Sequence, residues 1–362
     1  MGKKWIELVS FAMAGILSIG LAACSSSNSE STPAATTGSE SSAISEGVDY
    51  TQGESYTFIF GTDGAEDTVN GLVVNYMVDQ LNELTGGRIV VQKYFNGSMG
   101  TDTELCEATQ AGDVTFFNGS TAFTANFVTE LSAVDLPFLY SNAAQFRATM
   151  DEPEVQEFYN ERYNENGFVL LGFYDQGMRQ MTSNKKIQSI EDIAGQKIRV
   201  MENELHIAIW NALGANPTPM AFSEVYMALQ QGTIDAQENP FEVIYANKLY
   251  EQQKYIIMTN HLPASHNLLI SKTIFDSLSA TDQELILLVG AAAIQYAREQ
   301  CDSRLSERMD LVTTAGSEIV TLEDSVLAEM QEKCESVYDT ARQKYGDAQV
   351  DMQIQAAEKN KK

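Results

Sequence analysis

The sequence predicts an α/β protein made of two units in series, on three observations. Strand-like and helix-like runs alternate after residue 54, the alternation restarts after Gly167, and the last third is helical. The first unit opens with "YTFIFGT", a strand-like run. "EDTVNGLVVNYMVDQLNELTGG" follows, with Val73, Met77, Leu81 and Leu84 at helical spacing until Gly86 and Gly87 stop it. "RIVVQKYF" reads as a strand, "TELCEATQAG" as a helix and "VTFFNGS" as a third strand, an order that predicts a mainly parallel sheet. In the second unit "FVLLGFY" and "QKIRVM" are strands, and "NELHIAIWNALGA" and "AFSEVYMALQQGT" are helices, the latter capped by Ser223 and ended by Gly232. "IDAQENP" and "KYIIMTN" are further extended pieces. "TDQE", Thr281 to Glu284, is a capping box that opens a proline-free helical pattern running to about Thr314. Roughly thirty residues at 1.5 Å each make a rod of about 45 to 50 Å, longer than one small domain is wide. Either it breaks near Gly290 or Ser303 or it spans both units; spanning is the expectation.

The chain begins with an export signal, "MGKKWIELVSFAMAGILSIGLAAC", basic at Lys3 and Lys4 and then apolar from Leu8 to Ala23. The apolar run is short for a membrane span, which needs ~20 residues, and a polar tract follows it. Small residues directly before Cys24 point to a lipoprotein, with residues 1–23 removed and Cys24 carrying the lipid. Residues 24–53 are Ser, Thr, Glu, Ala and Gly with almost no large apolar side chain, so they read as a disordered tether. About 310 residues remain, enough for two lobes each with its own core.

The formal net charge is −27; without residues 1–23, which hold Lys3, Lys4 and Glu7, it is about −28. Such a balance excludes nucleic acid and anionic lipid as partners. It does not exclude an anionic ligand, because local arginines in a dry cleft outweigh distant, screened charge. With Cys24 lipidated, Cys106, Cys301 and Cys334 remain; their spacing suggests no metal site, and small buried thiols are the simplest reading.

No enzyme constellation stands out. G-x-S-x-G, H-E-x-x-H, C-x-x-C, Walker and G-x-G-x-x-G patterns are absent. Of the three histidines, His206, His261 and His266, the last two lie five apart in "HLPASH", a poor match to helical ligand spacing, and read as loop residues. Neither a catalytic residue, a metal nor a cofactor is expected. What remains is Arg179 in "GMRQMTSN" and Arg199 in "KIRVMEN", each at or near a strand. A guanidinium keeps its charge when buried and its planar fork fits a carboxylate at two points. The partner is either a protein acid or a ligand. "TPMAFSEVYMALQQGTIDAQENPF" adds Phe222 and the amide Asn239, held by Pro240.

At these residues the sequence resembles the DctP family of solute-binding proteins of tripartite ATP-independent periplasmic (TRAP) transporters. The resemblance runs from about Tyr56 to the C-terminal helices and is densest in "RQMTSNKKIQSIEDIAGQKIRV", "NPTPMAFSEVYMALQQGTIDAQENP" and "MTNH". It implies a two-lobe, periplasmic-binding-protein-like α/β fold with a hinge and a long C-terminal helix spanning the lobes. Residues 54–176 plus about 265–304 would form lobe I, and 177–264 plus about 305–358 lobe II. It implies further that Arg199 is the main carboxylate partner, that Arg179, Asn239 and Phe222 assist, and that Asp63, Asp102 and Asn118 line the cleft from the first lobe. Sialic-acid-binding members carry an acid where Asn118 stands and an arginine near Ala122, so a different ligand is implied here. A sugar acid such as a hexuronate is favoured, with a C4-dicarboxylate next. The implied partners are the small and large integral membrane subunits of a TRAP permease, with the protein a lipid-anchored, extracytoplasmic monomer. The alternatives are an ABC-type receptor or a surface-anchored hydrolase.

Overall fold

The computed structural model describes residues 48–361. The signal peptide, Cys24 and most of the tether lie outside the described residues. Eleven strands form two sheets: β1 (Tyr56–Gly61), β2 (Ile89–Tyr94), β3 (Phe116–Ser120), β4 (Phe168–Met178), β5 (Gln180–Ser183), β6 (Lys197–Val200), β7 (Asn216–Pro219), β8 (Ala236–Asn239), β9 (Tyr255–Met258), β10 (Pro263–Ser271) and β11 (Glu318–Thr321). The first sheet has the order β2-β1-β3-β10-β4 and the second β11-β9-β5-β8-β6-β7. Each sheet is the centre of one lobe.

Both sheets are mixed but mainly parallel, as the strand–helix alternation suggests, and each holds one reversed strand. β1, β2 and β3 are parallel, but β10 runs antiparallel to both β3 and β4. In the second sheet β5 runs antiparallel to β8 and β9. The cause is the connection between lobes. β4 ends at Met178 and β5 starts at Gln180, so the chain crosses from one sheet to the other through Arg179 alone. It returns from β9 to β10 through residues 259–262. The two crossings touch where the Arg179 N–H donates to the Leu262 carbonyl at 2.8 Å. Two thin, adjacent connections make a hinge.

The sheets are covered on both faces. Val73, Met77 and Leu81 of the helix Val69–Leu84 face Phe58, Phe60 and Phe116 in the first lobe; Ile198, Val200, Ile209 and Trp210 anchor the second. The helix Ala280–Thr314 is continuous over 35 residues, so it passes Gly290 and Ser303 without a break. Gly290 serves close approach instead: a Cβ there would meet the Leu171 Cβ at 2.9 Å. The helix starts earlier than "TDQE" suggests, because Ser279 caps it by accepting from the Asp282 N–H at 3.1 Å. Its first half packs in the first core through Leu285, Val289 and Ala293, while Val312 near its end belongs to a cluster of the second lobe.

Three local readings also change. Tyr50, inside the supposed tether, is buried in the first core, and its carbonyl accepts from Arg88 at 3.0 Å, so order begins before residue 54. Ser223 caps nothing: a 3₁₀ turn, Phe222–Glu224, precedes the helix Val225–Gln230. The final helix, Asp347–Lys359, belongs to the second lobe only in part: Val350 sits in the second core, while Ala357 joins Phe146, Tyr159 and Phe173 of the first. Cys106, Cys301 and Cys334 are all buried free thiols.

From the long helix, Arg304 and Arg308 both reach Glu242 of the second lobe, at 2.9 Å in each case. Both also donate to the Asp67 carbonyl of the first lobe. Arg308 and Glu242 are 7 % and 5 % exposed, so removing one side strands a desolvated charge. Glu242→Ala is expected to lower stability by ~3 kcal/mol or more, measured by urea denaturation. A loss under ~1 kcal/mol would show that the cluster is solvated like a surface pair.

Candidate functional site

β6 explains how a charge comes to be buried. Successive side chains of a strand face opposite ways. Ile198 and Val200 fix the strand in the core, and Arg199 between them points to the other face, where it is 1 % exposed. Its Nε and Nη2 both donate to the Met220 carbonyl, at 3.0 and 2.8 Å, and its guanidinium lies 5.8 Å from the centre of the Phe222 ring. Among the described residues no carboxylate lies within ion-pair distance of it. Burial, opposed by Glu238 and reinforced by Arg179, pulls its pKa down to about 10, which still leaves it charged at neutral pH.

Arg179 is different. It sits at the crossing between β4 and β5 and is already bound to Glu238, its Nη2 donating to Oε1 at 3.0 Å and to the backbone carbonyl at 2.7 Å. The Asn239 Oδ1 accepts a further bond at 3.2 Å, while the Asn239 Nδ2 is spent on Gln237. Glu238 also meets the His261 Nε2 at 3.0 Å and approaches the His206 Nδ1 at 3.8 Å. Burial alone would raise the Glu238 carboxyl, but Arg179, His206 and His261 hold it well below the ordinary range. Sequence reasoning missed this hub, and the visible signal was an acid inside the strand "AQEN".

Between the lobes lies an open cavity whose empty volume, open solvent included, is about 470 Å³. Arg199, Arg179, Phe222 and Asn239 line it from the second lobe and the hinge; Asp63 and Asp102 line it from the first. It continues outward into a wider mouth that shares Asp63, Asp102, Phe123, Phe222 and Asn247. Asn118 does not line it. That side chain lies one layer behind, donating to the carbonyl of Asn70, and Asn70 is the residue that reaches the cavity.

Other lining residues were not foreseen. His266 belongs to β10 rather than to a loop and is 6 % exposed; His261 is in a connection yet wholly buried. Burial pulls His266 down to about 4, so it is neutral, with its Nδ1 against the Ala264 carbonyl at 2.9 Å and its Nε2 at 3.1 Å from the Gln176 amide. Gln176, Thr68, Asn70, Ser120 and Asn247 complete a polar, uncharged lining.

Asp63 and Asp102 both line the cavity, near enough for the charge of Asp63 to act on Asp102. Asp102, the first residue of the helix Asp102–Ala111, is 4 % exposed, and its Oδ1 has no partner. Burial first, then the Asp63 charge, raises its carboxyl well above the ordinary range against the pull of Arg199; burial raises Asp63 too. Neighbouring carboxyls oppose each other's ionisation, so the two titrate as a pair.

A cleft between hinged lobes, walled by both and holding a guanidinium without a protein counter-ion, defines a small-molecule binding protein. The chain belongs to the DctP family, described as bacterial extracellular solute-binding protein, family 7, whose model matches residues 60–344. It is a TRAP-type solute-binding protein, and its relatives are binding proteins rather than enzymes. A solute-binding protein of Verminephrobacter eiseniae is 36 % identical over 239 residues, 66 % of this chain and 71 % of that one. The crystal structure of the sugar acid binding protein DctPAm of Advenella mimigardefordensis, in complex with galactonate, superposes with a TM-score of 0.82 at 27 % identity, covering 85 % of this chain and 99 % of the other. A TRAP periplasmic solute-binding protein of Xanthobacter autotrophicus Py2 with bound β-D-galacturonate gives 0.79 at 27 % identity, covering 83 % and 99 %.

A carboxyl raised on folding stabilises the fold fully below its unfolded pKa, near ~4, and loses that contribution as pH climbs through the raised value. Asp102→Asn therefore should stabilise the ligand-free protein at pH 7 and make little difference near pH 4. Urea denaturation of both proteins at the two pH values checks this, and parallel pH profiles would contradict it.

Proposed function

We propose that the protein captures an organic acid, a sugar acid such as a hexuronate in the first place, through bidentate pairing of its carboxylate with Arg199. It delivers the acid to the small and large membrane subunits of a TRAP permease, from the outer face of the membrane where lipidated Cys24 anchors it. The observation that carries this reading is the burial of Arg199 at the cavity wall with a backbone carbonyl and an aromatic face, but no acid, as its partners. Arg179 lies alongside as a paired, fixed group that shapes the site and adds field. The galactonate and galacturonate held by two structural relatives support the ligand class.

Desolvated charge pairs of this kind are worth ~2 to 5 kcal/mol to binding, roughly thirty-fold to several-thousand-fold. Titration calorimetry of the purified protein against hexuronates, aldonates and C4-dicarboxylates should find a ligand, and Arg199→Ala should weaken it by that factor. A folded Arg199→Ala protein that binds within a few-fold of the parent removes the arginine from this role. Cys24→Ser should move the protein from the membrane fraction to the soluble extracytoplasmic fraction; unchanged membrane association would end the lipoprotein reading.

A further inference from the structure

We propose that the cleft selects an acid with a single carboxylate and a hydroxyl-bearing remainder, and that Asp63 and Asp102 form the acceptor pole that turns away a second carboxylate. This rests on Arg199 being the carboxylate partner. The first support is the charge count at the wall. Arg179, Arg199, Asp63 and Asp102 are the charged lining residues, and His266 is neutral. Arg179 is taken by Glu238, which leaves Arg199 as the lining cation with no carboxylate in ion-pair contact and so a direct pairing site for one carboxylate.

The second support is the kind of polar atom left without a partner. On the cavity wall these are the Asp102 Oδ1 and the Gln176 Oε1, both acceptors on residues 4 % exposed. Among the described lining residues no buried donor is orphaned. Buried acceptors need donors, and a hydroxyl supplies one whereas a carboxylate supplies none. The third is position. Asp63, after β1, and Asp102, at its helix start, belong to the first lobe, and Arg199 to the second. A ligand spanning the cleft must put its non-acidic end against the aspartates. Two carboxyls and no lysine or arginine line the cavity on that lobe.

Matched aldonate and aldarate pairs of gluco and galacto configuration test this, because they differ only in whether the last carbon is an alcohol or a carboxylate. By calorimetry, the parent protein should bind an aldonate or the related hexuronate at least about 100-fold more tightly than any aldarate or succinate, since juxtaposed like charges in an interface cost several kcal/mol. Asp63→Asn and Asp102→Asn should each narrow that gap; if the buried Asp102→Asn protein does not fold, Asp63→Asn and the parent's own selectivity decide. An aldarate or succinate that binds the parent as tightly as the best sugar acid, and is lost in Arg199→Ala, overturns the acceptor pole and leaves the carboxylate site standing. A zwitterion such as ectoine outbinding every hydroxy acid overturns the hydroxyl assignment. Failure of every acid to bind the folded parent, or binding indifferent to Arg199→Ala, overturns both readings.

Discussion

A guanidinium taken out of water without a carboxylate to meet it is the constraint on which the rest of the site depends. Hydration lost by Arg199 is replaced only in part, by the Met220 carbonyl and the face of Phe222. Those groups orient the fork but leave its charge uncompensated, and a permanent charge in a poorly solvated place is costly. The scaffold tolerates this because Ile198 and Val200, wholly buried on the opposite face, hold β6 where it is. In the proposed function, the stability spent on Arg199 in the free protein is recovered when an anion enters. Arg179 shows the opposite solution: with Glu238 as a built-in partner it is electrostatically complete and stays put at the hinge.

This contrast explains what could be read from the sequence. The alternation "IRV" shows that Arg199 faces away from its apolar neighbours, and "QENP" marks Asn239, because each rests on strand periodicity and a proline. Which arginine is free depends on Glu238, whose side chain reaches Arg179 only through the pairing of Gln180 with Asn239. No local pattern encodes that register. β10 was hidden for a related reason: "PASHNLLIS" has buried serine, histidine and asparagine where apolar residues are expected, and the serine and asparagine find partners in Asp135 and Thr124, far away in sequence. β7, with two prolines in four residues, is admissible only as an edge strand. Asn118 was placed in the cleft on a motif match, yet its neighbours in β3 turn it toward Asn70.

An acidic chain and the anionic ligand proposed for it are compatible once distance is considered. Surface charges lie beyond the ~8 Å screening length at physiological ionic strength and weigh little on a ligand already inside. Asp63 and Asp102 do weigh, being at the wall with Arg199. The cavity is therefore polarised, positive on one lobe and acceptor-rich on the other. Orientation of the bound acid follows from that polarity more than from shape.

Polarity across the cleft also bears on closure. A ligand favours the closed form only by binding it better than the open one. With the cation on one lobe and the acceptors on the other, an acid bearing hydroxyls makes its full set of bonds only when the lobes meet. Arg304 and Arg308 tie Glu242 of the second lobe to the Asp67 backbone of the first. Arg199 and the aspartates interact across the gap, yet each loses water that the other does not replace. The residues that bind the acid are then the same ones that report its presence to the rest of the molecule.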